Sequence, residues 1–215
     1  MIQSLAPRVL SEFQSTFALV LAGTGAIVAD AASGGMVSHS GVSLTFGLIV
    51  FAMILIHGPR SGAHMNPAVT LGLSIAGCFP KREILPYIGA QFAGALAASL
   101  VLRILAPEVD TLGATVPMIG AWRTLALEAL LTYMLMFAIL AMRERPLLET
   151  ALAIGAVIGL EALFAGPFTG ASMNPARSAG PALVSFNLHD LPIYLAGPVI
   201  GAALAALRTP PPLRS

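Results

Sequence analysis

Two identical Asn-Pro-Ala triplets carry the polar groups of this sequence that are best placed to act on a solute. They stand at Asn66-Pro67-Ala68 and Asn174-Pro175-Ala176, and the chain has only three asparagines in all. Asparagine is a favoured helix N-cap, and proline fits the first helical turn because its missing N–H would have no partner there. Each triplet therefore predicts the start of a helix, with a side-chain amide that can donate an N–H to a neutral solute.

The apolar segments that follow the triplets, at about 67–76 and 175–184, are half the length of a membrane span. A spanning helix needs ~20 mostly apolar residues. A half helix leaves backbone groups unpaired at its buried end, which is tolerated only where they are capped or face a water-filled cavity. Two such helices that meet at their N-termini would bring two positive dipole ends together and repel cations.

Arg177 follows the second triplet directly. The alternative to a functional role is a snorkelling or packing arginine. An arginine inside a membrane is costly and usually faces a cavity, however, and this one stands beside a helix that enters the membrane. We therefore expect the guanidinium to lie on the path of the solute.

Six longer apolar stretches account for most of the remaining chain. Of the 215 residues, 57% are hydrophobic and 10% charged, which excludes an ordinary soluble domain, where charged residues approach ~25%, and also excludes disorder. The stretches lie at about 9–29, 41–57, 83–106, 121–142, 150–166 and 191–208. We predict an all-α membrane protein with six transmembrane helices and two re-entrant half helices, forming a single transmembrane domain over 1–215.

The two halves of the chain resemble each other. Residues 12–17 and 128–133 share the pattern Glu-x-x-x-Thr-aromatic, and residues 61–68 match 169–176 at an offset of 108. Repeat one covers about 9–106 and repeat two about 121–208. Because each repeat has three spans, the second copy enters the membrane from the opposite side, an inverted repeat that places a site at the midplane.

Basic residues fall on one side of this topology, which predicts that both termini are cytoplasmic in a multi-pass protein of the cell (inner) membrane. The connections at 30–40 and 107–120 contain no Lys or Arg. The residues on the basic side are Arg8, Arg60, Lys81, Arg82, Arg143, Arg145, Arg208 and Arg214. A net charge of +1 gives no reason to expect nucleic acid as a partner, and we expect no metal and no cofactor.

The paired strings at 61–70 and 170–178 are similar to those of the major intrinsic protein family, the aquaporins and glycerol channels. The resemblance covers nearly the whole chain. Residues 163–173 resemble the nodulin-26-like branch of plants and its bacterial relatives. The resemblance implies a passive channel for water and small uncharged solutes that excludes ions and protons, and it implies a homotetramer in a lipid bilayer.

By resemblance, Arg177 is the arginine of the family's extracellular constriction, completed by Phe46, Ala162 and Ala171. Strict water channels resemble one another in having His where this chain has Ala162. We therefore expect a wider opening that admits glycerol, urea or metalloid acids such as arsenite, with a water-selective aquaporin as the alternative. Ser178 stands where typical glycerol channels have Asp, which argues against a standard glycerol facilitator.

The loops before the two triplets are expected to line the path with backbone carbonyls, because non-helical backbone inside a membrane needs water or protein partners. Those carbonyls belong to Gly62, Ala63, His64, Met65, Thr169, Gly170, Ser172 and Met173. His64 is either a pH-sensitive gate or a structural residue that hydrogen-bonds its own loop. By resemblance, the buried acids Glu12 and Glu128 each pin a re-entrant loop.

Two other classes of function are open to this sequence. Glu12, Glu128 and Glu161 could serve a proton-coupled secondary transporter. An intramembrane enzyme is disfavoured, because no Gly-x-Ser-x-Gly or His-Glu-x-x-His motif occurs. Arg60, Arg103 and Arg123 have no assigned role. The rows Gly155-x-x-x-Gly159 and Gly197-x-x-x-Gly201 allow close helix packing, within the bundle or between subunits.

Overall fold

The computed structural model describes residues 4–208 and contains helices without β-strands in that range. A π-helical turn at Val20–Thr24 joins α1 to α2, and a 3₁₀ turn at Lys81–Glu83 precedes α5. The α-helices of this range are α1 (Leu5–Leu19), α2 (Gly25–Ala32), α3 (Ser38–Ser61), α4 (Pro67–Ile75), α5 (Ile84–Leu105), α6 (Ala121–Met142), α7 (Leu147–Thr169), α8 (Pro175–Ser185) and α9 (Leu191–Arg208).

Six helical segments within residues 4–208 are long and apolar enough to cross a membrane, which confirms the predicted all-α membrane fold. They are Leu5–Ala32, Ser38–Ser61, Lys81–Leu105, Ala121–Met142, Leu147–Thr169 and Leu191–Arg208. Helices α3 and α7 run past their predicted ends because Pro59 and Pro167 are accommodated within the helices. Arg214, one of the residues used to predict orientation, lies outside the described residues.

The two half helices begin at the predicted asparagines. The side-chain oxygen of Asn66 accepts a hydrogen bond from the Ala68 amide at 2.9 Å, and that of Asn174 accepts one from Ala176 at 3.0 Å. A proline follows each cap at the first helical position. The same local code therefore starts α4 and α8, as the triplets predicted.

Glycines set the closest approaches between the long helices. A Cβ added at Gly47 in α3 would lie 2.8 Å from the carbonyl oxygen of Gly155 in α7, and one at Gly155 would lie 2.8 Å from the oxygen of Gly47. These two glycines are 108 residues apart, at matching positions of the two repeats. A Cβ at Gly201 in α9 would overlap the carbonyl of Ala129 in α6. Gly155 and Gly201 thus serve packing within the bundle, one of the two possibilities that the sequence left open.

Another glycine contact positions a candidate site residue. Gly23, in the π-helical turn, lies so close to the ring of Phe46 that an added Cβ would overlap the ring. The missing side chain makes room for this aromatic ring against the first span. Nothing in the sequence pattern predicted the π-helical turn.

Candidate functional site

The two re-entrant loops share an unusual backbone. Each begins with a glycine in the left-handed region, Gly62 at φ 89° and Gly170 at φ 81°, which ends the preceding helix. Further residues with positive φ are Ala63 (48°), Met65 (53°), Ala171 (42°) and Met173 (53°). Such conformations are costly for residues other than glycine and persist only where the surrounding structure holds them.

The buried acid Glu12 holds the first loop. Its carboxylate accepts hydrogen bonds from the Ser61 hydroxyl at 2.7 Å and from the amides of His64 at 2.9 Å and Met65 at 2.8 Å. Gln91 of α5 donates to the same carboxylate at 2.8 Å. These bonds fix the left-handed turns of the loop, because its amide N–H groups point at the acid instead of at the solute path.

Glu128 holds the second loop with the matching set of donors. Its carboxylate accepts hydrogen bonds from the Thr169 hydroxyl at 2.8 Å and from the amides of Ser172 at 2.9 Å and Met173 at 2.8 Å. Both acids are fully buried, at 0% exposure. The duplicated acids therefore contact the loops in the way that the family resemblance implied.

The two asparagines connect the repeats at the point where the half helices meet. The Asn66 amide donates to the Met173 carbonyl at 2.7 Å, and the Asn174 amide donates to the Met65 carbonyl at 2.8 Å. A side-chain amide has two N–H donors, so each asparagine keeps a second one outside these bonds. Both asparagines line the central cavity, where that donor is available to a solute.

This central cavity has a volume of about 600 Å³ and is lined by both repeats. We call one end, where Phe46, Ala162, Ala171 and Arg177 line it, the Arg177 end. We call the other the Cys78 end, and its lining residues are Gly77, Cys78, Arg143, Glu144 and Thr150. The four residues carried over to the family's constriction therefore all line this cavity.

Arg177 is 2% exposed and is oriented by its neighbours. Its guanidinium donates to the Gly113 carbonyl at 3.1 Å, and its Cζ atom lies 5.4 Å from the centre of the Phe46 ring. Other N–H donors of the five on the guanidinium remain for a solute. Nothing in the sequence singles out Gly113, because the connection between α5 and α6 has no motif that relates it to Arg177.

Most of the predicted carbonyl ladder belongs to residues that line the cavity. These are Gly62, Ala63, His64, Met65, Ser172 and Met173. Thr169 and Gly170 do not line it. The prediction for the Thr169 carbonyl is wrong, because this oxygen accepts a hydrogen bond from the Tyr194 hydroxyl at 2.8 Å.

His64 is bonded to the half helix that follows it. Its Nδ1 atom lies 3.1 Å from the Thr70 hydroxyl, and its ring centre lies 4.8 Å from that of Phe79 and 5.1 Å from that of Tyr87. Gln91 donates to the same Thr70 hydroxyl at 2.9 Å. These contacts favour the structural interpretation of His64 over the gate.

Ser178, at the position where glycerol channels have Asp, belongs to a row of hydroxyls behind the second loop. Its Oγ atom lies 2.6 Å from Ser172 Oγ and 2.9 Å from Thr115 Oγ1. A neutral hydroxyl network thus stands in this place, and Thr115, like Gly113, comes from the α5–α6 connection.

Two residues outside the predicted pore set, Glu161 and Arg103, have identifiable surroundings. Glu161 is 2% exposed, and its carboxylate oxygens have no hydrogen-bond partner within residues 4–208. Its neighbour Ala162 lines the cavity and Glu161 does not. Arg103 donates hydrogen bonds to carbonyls of the connection after α5, including that of Asp110 at 3.1 Å. It therefore stabilises the connection that supplies Gly113.

A bundle of membrane-spanning helices with two half helices meeting at their N-termini, around a cavity lined from both sides of that junction, defines a channel protein. The family model of the major intrinsic proteins matches residues 2–208, and the chain belongs to this family.

Named relatives and a solved structure agree with this assignment. The chain is 42% identical over 207 residues to "Aquaporin NIP1-3" of Oryza sativa subsp. japonica, covering 94% of this chain and 72% of the relative. It is 41% identical over 201 residues to "Putative aquaporin NIP4-1" of Arabidopsis thaliana, covering 92% and 71%. The X-ray structure of the aquaglyceroporin from Plasmodium falciparum matches with a TM-score of 0.84 and 26% identity, covering 95% of each chain.

Proposed function

We propose that this protein is a passive channel for water and small uncharged solutes. The observation that carries the proposal is the central cavity, which is lined from the Arg177 end to the Cys78 end with the two asparagine amides between them. Its polar groups are arranged along one path, so a neutral solute can exchange hydrogen bonds with water for hydrogen bonds with the wall.

Exclusion of cations follows from fixed positive charge. The N-termini of α4 and α8 meet beside Asn66 and Asn174, and each contributes the positive end of a helix dipole. Arg177 adds a full charge at one end. A cation that lost its hydration shell between the asparagines and Arg177 would meet this repulsion, because Glu12 and Glu128 face the loops and do not line the cavity. Glu144, a carboxylate that does line it, lies at the Cys78 end.

The proposed constriction consists of Phe46, Ala162, Ala171 and Arg177, and its two alanines favour solutes larger than water. We propose glycerol, urea or undissociated metalloid acids as the class of solute. The likeness to an aquaglyceroporin supports the wider opening, and the likeness to proteins named aquaporins supports water flux.

The acids that a proton-coupled transporter would use are either hydrogen-bonded to the re-entrant loops or absent from the cavity lining. Glu12 and Glu128 accept hydrogen bonds from the loops, and Glu161 does not line the cavity. The major intrinsic proteins are a family of channels. We therefore propose passive flux without coupling to protons and without enzymatic activity.

We propose a homotetramer in the cell (inner) membrane, with both termini cytoplasmic. The family resemblance supports the tetramer, and the basic residues of the α3–α5 and α6–α7 connections support the orientation. In this orientation the Cys78 end opens to the cytoplasm and the Arg177 end to the outside.

The test is stopped-flow light scattering of vesicles that contain the purified protein, with gradients of an impermeant osmolyte, glycerol, urea and arsenite. We expect water flux and faster entry of at least one of the three solutes, without uphill accumulation. Ala162→His should lower glycerol flux more than water flux, because it places a bulky polar ring at the constriction. Solute entry no faster than in protein-free vesicles would leave a water-selective channel, and accumulation abolished by an uncoupler would overturn passive flux.

A further inference from the structure

A second cavity, separate from the pore, lies where α6 and α9 end. Its volume is about 600 Å³. Its polar wall is Arg143, Glu144, Arg145 and Arg208, and its apolar wall is Phe137, Leu140 and Ala141. We call it the three-arginine pocket. Three guanidiniums against one carboxylate give it a positive field.

The positive charges of this pocket are weakly neutralised. Arg143 Nε lies 3.4 Å from Glu144 Oε1, but the Glu144 side chain is 81% exposed, and exposed pairs of this kind contribute little. Arg145 and Arg208 form no ion pair within residues 4–208. The pocket is therefore suited to an anion that can accept several N–H donors, as a phosphate does.

The depth of the three-arginine pocket in the membrane fits a lipid better than a soluble anion. Met142 and Arg208 are the last residues of two spans, so the arginines lie at the level of the headgroups. Phe137, about one and a half turns before the end of α6, is 58% exposed and forms part of the apolar wall. A molecule with a phosphate head and an acyl chain would contact both walls.

The pocket also shares two lining residues with the pore. Arg143 and Glu144 line both the three-arginine pocket and the Cys78 end of the central cavity. An anion bound to Arg143 from the pocket side would draw its guanidinium away from Glu144 and from the pore entrance. Occupancy of the pocket would then change the entrance directly.

We propose that the three-arginine pocket binds the phosphate of an anionic phospholipid in the cytoplasmic leaflet and that its occupancy alters flux through the Cys78 end. The side of the membrane and the effect on flux rest on the proposed function. Binding itself does not, so the two parts are measured separately.

Binding is measured on the detergent-solubilised full chain by native mass spectrometry and by the unfolding temperature, titrated with phosphatidylglycerol. Arg145→Gln/Arg208→Gln removes two arginines of the pocket that do not line the pore. We expect the affinity to fall about fivefold for each arginine removed, given their typical contribution near a lipid headgroup. Arg145→Lys/Arg208→Lys, which keeps the charge, should retain most of the binding.

Lys81→Gln/Arg82→Gln is the matched control, because it removes two positive charges on the same side of the bundle but outside the pocket. It should weaken binding by less than about twofold. Equal losses in the two variants would overturn the pocket in favour of a diffuse basic face. Equal binding of phosphatidylcholine, or stabilisation by inorganic phosphate alone, would overturn the assignment to an anionic lipid.

The effect on flux is measured in vesicles of phosphatidylcholine with and without phosphatidylglycerol. Wild-type water flux should differ between the two compositions, and Arg145→Gln/Arg208→Gln should remove the difference. If binding is lost in this variant and the flux still responds to the lipid, the coupling is overturned while the site stands. If no preparation conducts at all, the proposed channel function fails independently of lipid binding.

Discussion

The two ends of the pore are built from matching positions of the two repeats and differ in chemistry. At the Cys78 side, Ile154, Ile54, Ala63 and Val69 stand at the positions that Phe46, Ala162, Ala171 and Arg177 hold at the other. All eight line the central cavity. The four residues at the Arg177 end thus include a cation and an aromatic ring, whereas the four at the matching positions are wholly apolar.

What the repeats keep is as informative as what they change. The buried acid, the hydroxyl and two amides that bond to it, and the asparagine at the midplane are the same in both halves. Behind the loops, His64 and Gln91 contact Thr70 in one repeat, and Ser172 contacts Ser178 in the other. The groups that the two repeats share hold the re-entrant loops in place, and the groups that differ between the repeats distinguish the two ends of the pore.

The largest effect is expected where the halves are alike. Glu128→Ala would leave the Thr169 hydroxyl and two buried amides without their acceptor, at ~1–3 kcal/mol for each buried group. We expect a destabilisation of several kcal/mol and the loss of flux, and at least the same for Glu12→Ala, which also removes the partner of Gln91. Thermal unfolding in detergent and vesicle swelling measure both.

Glu161→Gln is the control for these variants. Glu161 is another buried acid, but its oxygens have no hydrogen-bond partner in the described range 4–208. Flux through the Glu161→Gln variant should stay within about twofold of wild type, and the unfolding temperature of this variant should not fall. A loss as large as that of Glu128→Ala would mean that the loop hydrogen bonds are not the reason for the destabilisation.

Arg177→Val makes the two ends alike at the position where they differ most, because Val69 is its counterpart. Water flux should persist, while the leak of protons or K⁺ should rise at least about tenfold, since a fixed charge is lost from a poorly solvated path. A pH-sensitive dye and a K⁺-sensitive dye inside the vesicles report the leak. An unchanged leak would assign ion exclusion to the helix dipoles alone.

Exchanging the apolar residues at matching positions of the two ends should change solute flux by a smaller factor than Arg177→Val changes the ion leak. Ala162→Ile introduces at the Arg177 end the residue found at its counterpart, Ile54, and should lower glycerol flux roughly fivefold with less effect on water. Ile54→Ala is the reciprocal variant and should not lower glycerol flux. If Ile54→Ala changes solute preference as strongly as Ala162→Ile, the apolar ring at the Cys78 side selects solutes too.

The smallest effect tests which end faces the cytoplasm. Cys78 is the chain's only cysteine, it is exposed, and it lines the cavity. A charged, membrane-impermeant thiol reagent should lower water flux by about half when applied to the cytoplasmic side and should have no effect from outside. Cys78→Ser should abolish this block, and Cys78→Ser/Ala171→Cys should move the sensitivity to the outside. Block of the wild-type protein from the outside only would show that the proposed orientation is reversed.

The elements of this fold are predictable from sequence where the signal is local. Asn66 and Asn174 predict where the half helices begin, because an N-cap and a first-turn proline act within a few residues. Several partners of the functional side chains were not predictable. Gly113, Thr115 and Tyr194 reach the site from other elements and follow no periodicity, and the Thr169 carbonyl was misassigned because Tyr194 bonds to it.

The crossed amide bonds at the centre have a consequence for how the protein is made. Asn66 donates to the carbonyl of Met173, and Met65 accepts from Asn174. When the ribosome has delivered the first repeat to the membrane, neither partner has yet been synthesised. The Asn66 amide and the Met65 carbonyl therefore lack these hydrogen-bond partners until the second half helix has entered the membrane from the opposite side. Closure of the centre is a late event in biogenesis, and it requires both copies of the duplication.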